Sequence, residues 1–152
     1  MNNTKALVLS KLGLPSTVQY SESTNAFLTS GYTSMAGNTY YNAIRIAEGI
    51  LIKEDVGQGY IHTFLNAIRI YSLKDKTLLA DRAFHNRIYS KCAVKREAVD
   101  MLMDVLREAA INEGLSFDEL QARNTIENII EKALNTNQLE MFQNQTRKYL
   151  GS

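Results

Sequence analysis

The side chains best able to do chemistry are few and scattered. His62 and His85 are the two histidines, and Cys92 is the single cysteine. Asp81 stands four residues before His85 and Cys92 seven after it, a set from which a metal or nucleophile site can be sketched. Strand residues four apart share a face without converging, and no third ligand is spaced to join them, so the set reads as two ordinary strand histidines. Gly57-Gln58-Gly59 falls short of a dinucleotide loop: His62 holds the place of the third glycine, and a strand rather than a helix is expected next. It reads as a turn. Phosphate-loop, nucleophile-elbow and zinc-protease patterns do not occur. Asp100 and Asp104 share an acidic helix face with Glu97 and Glu108, which a solvated surface explains better than acid-base catalysis. The expectation is a chain that is not an enzyme and carries neither cofactor nor metal.

The basic residues Arg82, Arg87, Lys91, Lys95 and Arg96 form a more suggestive group. Lys95 and Arg96 fall near the start of an expected helix, where the backbone dipole already presents partial positive charge and acids are preferred. An anion would relieve such a site, whether nucleic-acid phosphate or the carboxylates of another chain. Solvation, or pairing with the molecule's own acidic helices, would relieve it as well. Aromatic residues that could stack on bases are sparse here, with only Phe84 and Tyr89 nearby. Two helices joined near Asn135-Thr136-Asn137 invite a helix-turn-helix reading, but the second carries bases only at its far end, Arg147 and Lys148, so a packed helical hairpin is preferred.

These groups must be positioned by a chain whose charge is unevenly spread. Among 152 residues, 17 bases and 16 acids leave a net charge of +1. Residues 56–96 nevertheless hold eight bases and two acids, and residues 97–152 hold five bases and ten acids. Before both, Leu12 to Ile44 carry a single charge, Glu22, and Ser16 to Thr39 contain ten Ser or Thr. Tyr20, Phe27, Leu28, Tyr32, Met35, Tyr40 and Tyr41 interleave this polar stretch, making it too sticky for a solvated linker and too poor in aliphatic residues for a core of its own. These seven residues are the candidate contacts for a partner.

The expected fold class is α+β: a small antiparallel hairpin or sheet covered by helices, with a helical C-terminal third and a polar, uncharged N-terminal arm. Residues 1–39 read as a short helix, Thr4 to Leu12, followed by the arm; residues 40–152 read as one α+β domain. Tyr40 to Glu54 fits a helix, capped by Asn38 or Thr39, better than the alternative strand on Ile44, Ile46, Ile50 and Ile52. Tyr60 to Asn86 alternates as a hairpin about Lys74-Asp75-Lys76, with Tyr71 opposite Leu79 and Arg69 opposite Asp81. Asn-Ala-Ile-Arg-Ile occurs twice, from Asn42 and from Asn66, without flanks that would make it a structural repeat. Helices follow over about 91–112, with Val94, Ala98, Met101, Leu102, Val105 and Ala109 facing in, and over about 116–134. A capping box at Asn137 opens a last helix to Leu150, with Leu139, Phe142 and Tyr149 on one side.

One cysteine and an apolar N-terminal patch of only four residues, Ala6 to Leu9, point to a reducing compartment without export or membrane insertion. The function this supports is a non-catalytic interaction or assembly subunit in the cytoplasm, in the style of a viral (phage) structural or accessory component that associates with itself or with another protein. The alternative is a nucleic-acid-binding accessory protein using residues 82–96.

Overall fold

In the computed structural model the described residues are 18–47, 49–59, 63–74, 76–84 and 91–141. They form an antiparallel sheet and two helices: β1 (Gln19–Ser21), β2 (Ala26–Leu28), β3 (Tyr32–Thr33), β4 (Thr39–Ala47), β5 (Ile50–Gln58), β6 (Thr63–Ser72), β7 (Leu78–Ala83), α1 (Lys91–Glu113) and α2 (Glu119–Asn135). The class is α+β, as the sequence indicates. The helix expected over Thr4 to Leu12 lies outside the described residues.

The sheet is a meander, in order β1-β2-β4-β5-β6-β7, with β3 on the same edge of β4 as β2. β2 and β3 act as one interrupted strand: Leu28 pairs with Ala43 and Tyr32 with Tyr40, and Ser30-Gly31 makes the irregularity between them. Gly31 is needed there, because a Cβ on it would lie 2.8 Å from the Tyr40 carbonyl oxygen. The described part of the polar stretch, from Val18, is thus built into the sheet, with Val18 and Phe27 buried.

The helix expected over Tyr40 to Glu54 is instead the β4-β5 hairpin, paired in unbroken register from Thr39 and Gln58 to Ala47 and Ile50. Two facts outweigh the capping signal. Gly49 takes φ +82°, the left-handed conformation a tight hairpin turn requires, and strand alternation puts Ile44 and Ile46 on one buried face and Ile50 and Ile52 on the other. Of Gly57-Gln58-Gly59, read as a turn, Gly57 and Gln58 are instead the last two residues of β5, and Gly59 follows the strand. A Cβ on Gly57 would sit 3.0 Å from the Tyr40 ring, so the glycine admits its cross-strand partner. Arg69 does face Asp81, but a register shift after Ile70 places Tyr71 against Leu78 instead of Leu79.

Strand alternation sorts the hydrophobic residues. On one face Ile50, Ile52, Ile68 and Ile70 pack under Val94, Ala98 and Leu102 of α1 and Ile126 and Ile130 of α2. On the other, Phe27, Ile44, Ile46 and Leu51 gather with Val18, Leu73 and Met141. Val99 and Met103 join the buried side of α1, whereas Ala109 is exposed, because α1 runs on past the sheet. Gly114, at φ +68°, ends α1, with the Leu115 N–H donating to the Ala110 carbonyl at 2.9 Å. Asp118 caps α2, two residues into the expected helix: its carboxylate accepts from the Gln121 N–H at 3.1 Å.

Candidate functional site

The partner-contact residues divide by depth. Phe27 is buried, and Tyr20 packs edge-on against it at 5.5 Å while donating its hydroxyl to Asn25 Oδ1 at 2.7 Å. Leu28 and Tyr41 are half-buried. Tyr32 is 68% exposed and lies against the half-buried Tyr40 ring, centroids 5.4 Å apart. Met35 is fully exposed in the turn between β3 and β4. That turn is firmly made: the Ser34 N–H donates to the Asn38 carbonyl at 2.8 Å and the Gly37 N–H to the Ser34 carbonyl at 2.9 Å. Tyr32, Met35 and Tyr40 therefore stand together at one end of the sheet, on a segment with no charged residue between Glu22 and Arg45.

Two depressions flank this end and share Thr29, Tyr41 and Val56. One, about 310 Å³, lies beside Tyr32, Tyr40, Asn42, Asp55 and Asn66. The other, about 520 Å³, opens on the face that the helices cover further along, beside Ser21, Thr24, Thr39, Tyr41, Gln58 and Thr63. Burial, and secondarily the charge of Glu54, hold the Tyr41 hydroxyl above its ordinary pKa of 10.0, so it stays a neutral phenol at physiological pH.

Beneath the larger groove lies a buried ion pair that the sequence reading missed. Arg45 and Glu54 are 1% and 0% exposed, with Nε donating to the carboxylate at 2.5 Å. Arg45 Nη1 also donates to the Thr24 and Asn25 carbonyls, each at 3.0 Å, fastening the β1-β2 turn to the sheet. The twice-occurring pentapeptide explains the placement. Both copies are strands flanking β5, but Arg45 is level with Ile52 and Arg69 with Lys53, one residue apart. A one-residue offset reverses the face. Arg45 accordingly points under the helices, and Arg69 points to the opposite face, between Asp55 at 3.2 Å and Asp81 at 3.7 Å.

The basic group is drawn toward the chain's own acids. Arg82 reaches Glu97 at 3.0 Å and Asp104 at 3.4 Å, both on α1, and Lys95 pairs with Glu131 of α2. Arg96 is exposed beside a shallow depression of mixed charge that includes Asp100, Arg123 and Glu127. Arg87 and the side chain of Lys91 lie outside the described residues, as do His62, His85 and the Cys92 side chain. Among the described residues no three His, Cys, Asp or Glu side chains are grouped to hold a metal, and no helix is long and apolar enough to cross a membrane. Asp100 and Asp104 engage Arg123 and Arg107, respectively, on the surface.

Compared with protein-family models, with curated proteins and with solved structures, the chain matches none.

Proposed function

We propose that this chain is a non-catalytic interaction or assembly subunit that uses the neutral end of its sheet against an uncharged surface of a neighbouring protein, a second copy being the case the chain alone can test. The observation that carries this reading is the pair of exposed side chains Tyr32 and Met35, with the half-buried Tyr40 ring against Tyr32, on a firmly hydrogen-bonded hairpin without formal charge. Aromatic residues and Met are enriched where protein surfaces meet, and the absence of charge removes the cost of desolvating an ion. Holding these side chains on a β-hairpin also lowers the entropy lost on docking.

Engagement of Arg82 and Lys95 by Glu97, Asp104 and Glu131 favours this reading over phosphate binding. Light scattering across a concentration series, at low and high salt, tests the proposal. Association is expected to survive high salt, because the contact is neutral, and the double variant Tyr32→Ser/Met35→Ser is expected to weaken it about tenfold or more. A strictly monomeric chain at every concentration, or association unchanged in the variant, contradicts the proposal for self-assembly.

A further inference from the structure

The larger groove is separate from the exposed aromatic cluster and has a chemistry of its own. Its walls include Ser21, Thr39, Tyr41, Gln58 and Thr63, whose side chains carry hydroxyl or amide groups, and Thr24, whose hydroxyl oxygen is buried. Leu28, Ala43 and Val56 supply an apolar floor. Among the described lining residues none carries a formal charge, although the buried Arg45–Glu54 pair lies just beyond. The volume, about 520 Å³, falls inside the roughly 300–1,000 Å³ of small-molecule sites.

Several wall groups are already engaged, which fixes their positions. Thr39 Oγ1 lies 3.2 Å from Thr33 Oγ1, and Ser21 Oγ lies 3.2 Å from Ser23 Oγ. Thr24 differs: its Oγ1 is buried with no hydrogen-bond partner. That hydroxyl is closed to a ligand, so the contacts fall to the other wall groups. Tyr41 adds an aromatic ring with a phenol that donates and accepts hydrogen bonds.

We propose that this groove binds a neutral saccharide, with the Ser, Thr, Gln and Tyr groups of its walls meeting the ligand hydroxyls and Leu28, Val56 and the Tyr41 ring meeting its apolar C–H faces. Each part of the lining answers one property of such a ligand. Sugars carry many hydroxyls that need both donors and acceptors, which Ser, Thr, Gln and Tyr provide. They also carry apolar ring faces, which pack on aliphatic and aromatic surface. An ionised ligand would be desolvated against a lining that offers no counter-charge.

The test uses the full chain and three probes: maltotriose, cellotriose and triacetylchitotriose. Amide NMR shifts are followed during titration. At least one probe is expected to move the amides of Thr24, Thr39, Tyr41, Val56 and Gln58 with a Kd near about 1 mM, unchanged by added salt. Tyr41→Ala is expected to weaken binding about tenfold or more, Tyr41→Phe less, and Tyr32→Ser/Met35→Ser not at all, which separates this site from the protein contact. Four outcomes overturn the proposal: no shift with any of the three sugars, shifts centred elsewhere, equal binding by folded Tyr41→Ala, or an uncharged Ser/Thr-rich peptide filling the groove where the sugars do not.

Discussion

Arg45 and Glu54 show how much one residue of register decides. Two charges at 1% and 0% exposure have given up their water, and their attraction offsets that loss only while both are present. Removing one partner leaves the other buried and uncompensated, so Glu54→Ala is expected to cost about 3–5 kcal/mol in urea unfolding. The double change Arg45→Met/Glu54→Leu should recover most of that loss, since replacing a buried pair with apolar residues of similar volume is often neutral. A double variant as unstable as the single one would mean that the pair's other bonds, from Arg45 to the Thr24 and Asn25 carbonyls, dominate. Strand alternation alone could have flagged this pair, because Arg45 and Glu54 fall on the side of Ala47 and Ile52 once β4 and β5 are strands. A helical reading of Tyr40 to Glu54 hides it.

At the scale of elements, the helices and the β6-β7 hairpin are legible because each has a strong local period and a marked end. The β4-β5 hairpin is not, since helical and strand periods fit its short apolar run about equally and only tertiary burial chooses between them. The attachment of the last helical turn is equally hidden. Gln138, which the sequence places only within the capping box that starts at Asn137, is fully buried: its Oε1 accepts the Ile46 N–H at 2.6 Å and its Nε2 donates to the Ala133 carbonyl at 2.7 Å. It satisfies β4 where β2 has ended. Asn25, in the left-handed conformation at φ 52°, completes the tie by donating to the Thr136 carbonyl at 2.7 Å and accepting the Gln138 N–H at 3.3 Å. Gln138→Ala leaves the Ile46 N–H buried and unpaired, and thermal unfolding should report a loss of about 1–3 kcal/mol. A loss within about 0.5 kcal/mol, the range of ordinary surface changes, would show that water replaces the amide.

Over the whole molecule, the near-zero net charge conceals a division of labour that the sequence shows in outline. Basic and acidic regions meet within the fold, through Arg82 with Glu97 and Asp104 and Lys95 with Glu131, while the uncharged region builds one end of the sheet. The candidate contact was legible as composition; its separation into buried Phe27 and exposed Tyr32 and Met35 needed the pairing of β1–β3, which their brief runs do not specify. A competing apolar surface lies at the α1-α2 junction, where Ile111, Leu115 and Leu120 are 71%, 61% and 74% exposed. Glu108, Glu113, Asp118 and Glu119 flank it in the sequence, with Arg107 paired to Glu119 at 2.7 Å, so charge borders it, unlike the exposed Tyr32 and Met35. Hydrogen exchange measured at low and high protein concentration separates the two surfaces most directly. Protection on association is expected over residues 29–41 and is expected to vanish in Tyr32→Ser/Met35→Ser; protection confined to residues 106–120, with 29–41 unchanged, would contradict docking through the sheet end.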